Sequence, residues 1–123
     1  MQLEVVDSLI SIHQENAKIY EDLLEGSKFE YLDQNYASPN NWVYGCLVDD
    51  NRNIIKQLRL KQIDSSAIHL RNDNYTIFKN DLNINQHLPG VDEFSRRFIA
   101  IPCGSWLSDN DKKHIKTVLT ELN

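Results

Sequence analysis

Apolar positions in the first fifth of the chain fall into two helical stripes. No Pro or Gly interrupts Gln2 to Glu25, and Gly26 supplies a stop, so one long leading helix is expected within residues 1–26. Leu3, Val6, Ile10, Ala17, Tyr20 and Leu24, with His13 among them, make one stripe; Val5, Leu9, Ile12, Ile19 and Leu23 make a second, broken by Asn16. At about 100° per residue the stripe centres lie roughly 110° apart, wider than one packing face needs. Such a helix, about 24 residues and roughly 36 Å long, matches the diameter of a globule whose radius of gyration is about 14 Å. One stripe can cover this chain's own sheet. The second is expected to meet another domain or a second copy, unless the C-terminal helix buries it. His13 is expected at the core boundary, hydrogen-bonded once.

Further along, the period changes. Lys28 to Asp33 alternates, with Phe29 and Tyr31 on one side, and reads as a short strand. Trp42 to Val48 places Trp42, Tyr44, Cys46 and Val48 on one face and Val43, Gly45 and Leu47 on the other, the pattern of a central strand. Asp49, Asp50 and Asn51 break it and offer a cap for a helix with Ile54, Ile55 and Leu58 inward, ending near Gln62. Ile63 to Leu70 reads as a third strand. Leu88-Pro89-Gly90 reads as a turn before a short helix with Val91, Phe94 and Phe98, its Arg96 and Arg97 suiting the helix dipole. Residues 102–107 are too rich in Pro and Gly to be regular. Ser108 with Asp111 caps a last helix carrying Ile115, Val118, Leu119 and Leu122. The expected fold is α+β, a small mainly antiparallel sheet with helices packed on it, as one domain over residues 1–123.

Between the expected third strand and the turn, Ser66 to Phe78 is dense in hydrogen-bonding side chains: His69, Arg71, Asn72, Asp73, Asn74 and Tyr75. No helix or strand pattern explains the run. It is the best candidate binding site, set against an ordinary solvated loop in which Asn and Asp bond their own backbone.

Composition narrows the function. Thirteen basic and eighteen acidic side chains give a net charge of −5 with both signs interspersed, which excludes a dense phosphate-backbone surface, so no nucleic acid partner is expected. The longest apolar run, Trp42 to Val48, is far short of the roughly 20 residues of a membrane span. Cys46 and Cys103 lack partner spacing and no signal-like start is present; the reading is a reduced cytoplasmic chain with two small buried thiols, a single disulfide being the alternative. No Gly-rich phosphate loop, nucleophile elbow or His-Glu-x-x-His spacing occurs. His13, His69, His87 and His114 are too far apart in sequence to suggest a metal site. Cys103 with a histidine could form a nucleophilic dyad, but a Cys between Pro and Gly reads more simply as a small turn residue.

Several segments, taken together, carry a resemblance. They are Gln2-Leu3-Glu4, Asn16-Ala17 with Tyr20, Trp42-Val43-Tyr44, Ile63 to Asp73, Leu88 to Phe94, and Ile99 to Ser108 with Asp109 and Asp111. In order and spacing the chain resembles the C-terminal small domain of the DegT/DnrJ/EryC1/StrS family, PLP-dependent sugar aminotransferases of the aspartate-aminotransferase fold, with roles that include polysaccharide biosynthesis. The resemblance implies a large domain holding the cofactor-bonding lysine, the acid facing the pyridine nitrogen and the phosphate cup. PLP is thus expected in the full-length enzyme and no cofactor in this chain alone, which is expected to be catalytically incompetent. The expected partners are that large domain or a second copy through the leading helix, and a nucleotide sugar. Carried over by position, His69 is the expected substrate contact, with Arg71, Asn72 and Tyr75 as weaker ones. Gln62 stands where relatives often have Gly, and Ser105 where close relatives have Trp; these departures bear on turn geometry and acceptor specificity. The alternative is a free-standing nucleotide-sugar-binding or interaction module without catalysis.

Overall fold

A computed structural model describes residues 4–32, 37–81 and 88–123, with main chain only at 79–81. Leu3, the Asp33 end of the expected first strand, and His87 lie outside the described residues. The elements in order are α1 (Val6–Leu24), β1 (Glu30–Tyr31), β2 (Val43–Leu47), α2 (Asn51–Leu60), α3 (Thr76–Asp81), α4 (Pro89–Arg97), β3 (Phe98–Pro102) and α5 (Asp109–Leu122), with a 3-10 turn at Asn72–Asn74 before α3. The three strands form one antiparallel sheet in the order β1-β2-β3. This is the expected α+β architecture with the strand from the Trp42 region at its centre.

Alternation along β2 sends Tyr44 and Cys46, with Val48 just beyond the strand, to one face, and all three are buried. They meet Ile99 and Ile101 of β3 beneath Ala17, Tyr20 and Leu24 of α1, Ile54 and Leu58 of α2, and Ile115, Val118 and Leu119 of α5. Each helix thus turns one apolar stripe onto the same side of the sheet, where removing apolar area from water drives the packing. On the opposite side Val43, Gly45 and Leu47 are only half-buried. Phe98 lies there, paired with Leu47, and stacks on Phe94 of α4 with ring centroids 4.8 Å apart. It fits because position 45 has no side chain: a Cβ on Gly45 would sit 2.9 Å from the Phe98 ring.

Helix ends follow local chemistry. Asp50 caps α2 by accepting from the Asn53 N–H at 3.2 Å. Its other end closes with the Ile63 N–H on the Leu58 carbonyl at 2.9 Å, which throws Gln62 into the left-handed region at φ 63°. The departure from Gly noted at this position therefore falls where glycine is favoured. Ser108 and Asp111 form the expected capping box of α5.

Three expected readings are corrected. Ile63 to Leu70 is no strand; it touches the sheet through a single bridge, Ser66 with Ala100. The third strand is Phe98–Pro102, four of whose five residues are buried, so Phe98 is the C-cap of α4 and the first strand residue rather than part of the helix, and Pro102 sits within a strand. Leu88-Pro89-Gly90 is not a free turn either: Pro89 opens α4, where a missing N–H costs nothing.

The two stripes of α1 have different fates. Ala17, Tyr20 and Leu24 are buried, whereas Val5, Leu9, Ile12 and Ile19, joined at the helix start by Val6 of the first stripe, stand 37–50% exposed; Leu23 of the second stripe packs at the edge of the core. The C-terminal helix leaves Val5, Leu9, Ile12 and Ile19 of the second stripe uncovered. Asn16, which interrupts that stripe, is buried and donates from Nδ2 to the carbonyls of Cys103 (3.1 Å) and Gly104 (3.2 Å), while Tyr20 Oη donates to Pro102 O at 2.9 Å. These bonds fix the turn after β3 against α1. His13 is half-buried, edge-on to the Trp106 ring, which is 68% exposed.

Candidate functional site

Beyond the Ser66–Ala100 bridge the chain leaves the sheet edge and forms one wall of a groove of about 780 Å³. The start of α2 and one side of α4 form the other walls. His69 and Arg71 line the groove, together with Asn74. Asn72 and Tyr75 are exposed nearby but lie outside its lining. The structure therefore brings two of the four expected contacts together and leaves two outside the lining.

His69 is exposed and holds no hydrogen bond or ion pair within the described residues, so both ring nitrogens are free for a ligand. Arg71 is different. Its Nε donates to Asp73 Oδ1 at 2.9 Å and its Nη2 to Asp73 Oδ2 at 2.6 Å, while Nη1 donates to the Asp92 carboxylate on α4. Bonding to Asp73 raises the guanidinium pKa further above its already high value.

The facing wall carries no local sequence signal of a site. Asp49, Asp50 and Asn51 looked like a helix cap, and Arg96 like a dipole-completing charge; all four line the groove with Arg52 and Asp92. Arg96 Nη1 donates to Asp49 O at 2.6 Å. Buried Asn51 donates from Nδ2 to Ser95 O (2.9 Å) and Phe98 O (3.1 Å), pinning the start of α2 to the end of α4. Three carboxylates (Asp49, Asp50, Asp92) thus face three arginines (Arg52, Arg71, Arg96) around His69. Such a lining suits a polar ligand with both donors and acceptors better than a bare polyphosphate.

No covalent chemistry is visible in these walls. Among the described residues no lysine lines the groove and none of the lysines with described side chains is buried, so these residues do not fit the covalent attachment that PLP takes. Among the described residues no group of His, Cys, Asp and Glu could hold a metal ion, and no helix is long and apolar enough to cross a membrane. Cys46 and Cys103 are free buried thiols pushed up to about 12 by burial. Cys103 Sγ donates to the His13 carbonyl at 3.3 Å rather than meeting an imidazole, so no thiolate nucleophile is prepared there.

Comparison with known proteins follows the same outline. The sequence model described as the DegT/DnrJ/EryC1/StrS aminotransferase family matches residues 1–120. Among solved structures, the chain is similar to the sugar aminotransferase CalS13 from Micromonospora echinospora, at 30% identity and a TM-score of 0.84 over 97% of this chain and 32% of that one. AtS13 from Actinomadura melliaura is similar at 28% identity and a TM-score of 0.81, again over 97% of this chain and 32% of that one. PseC from Helicobacter pylori, an aminotransferase involved in the biosynthesis of pseudoaminic acid, shares the fold at 18% identity and a TM-score of 0.86, over 98% of this chain and 34% of that one. The chain spans about a third of the length of the solved relatives it matches. No curated protein sequence matches it.

Proposed function

Because the chain belongs to the DegT/DnrJ/EryC1/StrS aminotransferase family, we propose that residues 1–123 are the small domain of a PLP-dependent nucleotide-sugar aminotransferase and work against a large domain. The observation that carries this reading is the exposed apolar stripe of α1, Val5, Leu9, Ile12 and Ile19, on a chain spanning about a third of its solved relatives. An exposed apolar strip of this length marks a contact surface. In such an enzyme PLP supplies the electron sink for moving an amino group from an amino acid such as glutamate to a keto-sugar nucleotide, and its seat lies outside these residues.

The part assigned to this chain is to grip the substrate. His69, unpartnered at the groove wall, offers the sugar nucleotide a hydrogen bond, and the exposed Asn72 and Tyr75 of the same loop supply further contact to sugar, diphosphate or base. Holding the sugar in a fixed orientation is itself a catalytic contribution, since positioning removes entropy from the barrier. The isolated chain, mixed with PLP and glutamate, is expected to show neither cofactor absorbance nor turnover of a keto-sugar nucleotide. Robust transamination by the 123 residues alone would overturn the proposal.

A second reading, a free-standing nucleotide-sugar-binding or interaction module, draws on the core that α1, α2 and α5 close over the sheet without outside help. Adding a large domain of the family in trans separates the two: activity appears under the first and not under the second.

A further inference from the structure

We propose that Arg71 is a positioning residue, a clasp that ties the loop carrying His69 to α4 through Asp73 and Asp92 and so holds His69 at the groove. Its bearing on substrate rests on the reading above; the clasp itself does not.

Among the described residues the backbone of the loop bonds mainly within the loop. Backbone hydrogen bonds from Arg71 to Phe78 join the segment to itself: Asn74 N–H to Arg71 O, Tyr75 N–H to Asn72 O, and Phe78 N–H to Tyr75 O. Its large apolar side chains, Leu70, Tyr75, Ile77 and Phe78, are exposed rather than set into the core. Arg71, by contrast, is only 20% exposed at the side chain. Two donors of its planar fork engage both oxygens of Asp73, at 2.9 and 2.6 Å, and a third reaches Asp92 in the first turn of α4. Isolated surface ion pairs contribute little, but a bidentate fork shared between two carboxylates is the exception.

The clasp joins a second tie. The helix that carries Asp92 is held three residues on, where Asn51 donates to Ser95 O at 2.9 Å and to Phe98 O at 3.1 Å. Loop, α4 and the start of α2 are the three walls of the groove, and Arg71 and Asn51 link them in series. A lysine at position 71 would keep the charge and lose the fork.

The test uses the 123-residue chain, amide hydrogen exchange at Asn74 and Tyr75, and titration with UDP as probe. Arg71→Lys and Asp92→Asn are each expected to speed exchange at those amides about fivefold, the upper range of what a charge-assisted tie at a surface gives. β2 and α5 amides should keep wild-type rates. The double variant should be no faster than Arg71→Lys alone, because both changes break one tie, and Asp92→Glu should restore protection. Unchanged exchange in Asp92→Asn, or additive effects, would overturn the clasp. If UDP binds the wild-type chain, Arg71→Lys should weaken it by a similar factor; equal binding, with His69→Ala weakened, would overturn the positioning role. If UDP binds no variant while the exchange coupling holds, the clasp stands and the nucleotide reading fails.

Discussion

Single residues reveal where the chain accepts local cost. Gln62 occupies the left-handed region at φ 63°, which costs a residue with a Cβ about 1–2 kcal/mol, while the sequence puts no glycine there. Gln62→Gly removes that strain and adds unfolded-state freedom of roughly 0.5–1 kcal/mol, so a net gain of about 0.5 kcal/mol in urea denaturation is expected. A loss would mean the exposed Gln62 side chain makes a contact of its own. The likeness to a family with Gly at this place made the position legible beforehand. Asn16 was not legible: in a helical stripe it reads as an interruption, yet it is buried and satisfies the carbonyls of Cys103 and Gly104. Partners 87 and 88 residues away leave no local trace. The same applies to Asn51, whose place beside Asp50 suggested a cap and whose partners lie on α4 and β3.

Among elements, legibility followed the strength of local signals. The α5 capping box is written in the sequence, and Ser108 donates from N (2.9 Å) and Oγ (2.6 Å) to Asp111 while the Asp111 N–H donates back to Oγ at 3.2 Å. These bonds hold the Asp111 carboxyl below its usual 3.8. A carboxyl depressed in the folded state stabilises above its unfolded pKa and loses that contribution as pH falls through the folded value. Acid titration of wild type is therefore expected to lose α5 stability below about pH 4, an acid limb that Asp111→Asn lacks. Identical acid profiles, followed by helical circular dichroism, would contradict this. The third strand is hidden in the sequence because Phe98–Pro102 follows α4 with no turn residue between, while Ile63 to Leu70 has the look of an extended segment. Burial decides what pattern did not. Ala67 and Ile68 are half-buried and Leu70 is exposed, whereas Phe98 to Ile101 are all buried.

For the whole molecule, architecture was readable and the groove only half so. One wall, with His69 and Arg71, was visible as a polar run; the opposite wall comes from residues 49–52 and 92–96, which only the fold brings near. The width of the α1 apolar arc did anticipate an unshared face, and the exposed stripe agrees. Leu9→Glu with Ile12→Glu is expected to leave the stability of this chain within about 0.5 kcal/mol, as surface changes do. The same pair should abolish binding to a large domain supplied in trans, read by light scattering or co-purification. Equal binding by the double variant would remove α1 from that contact.

The close approach of Phe98 to Gly45 constrains how this sequence can drift. Any side chain at position 45 would have to share space with a ring 2.9 Å from its first carbon, so the two sites are bound to change together. A lineage that gains alanine at 45 should carry a smaller residue at 98, and with it a loosened seat for the aromatic at 94. Across related sequences, that three-position pattern would register as correlated substitution, linking the middle of the sheet to the helix that walls the groove.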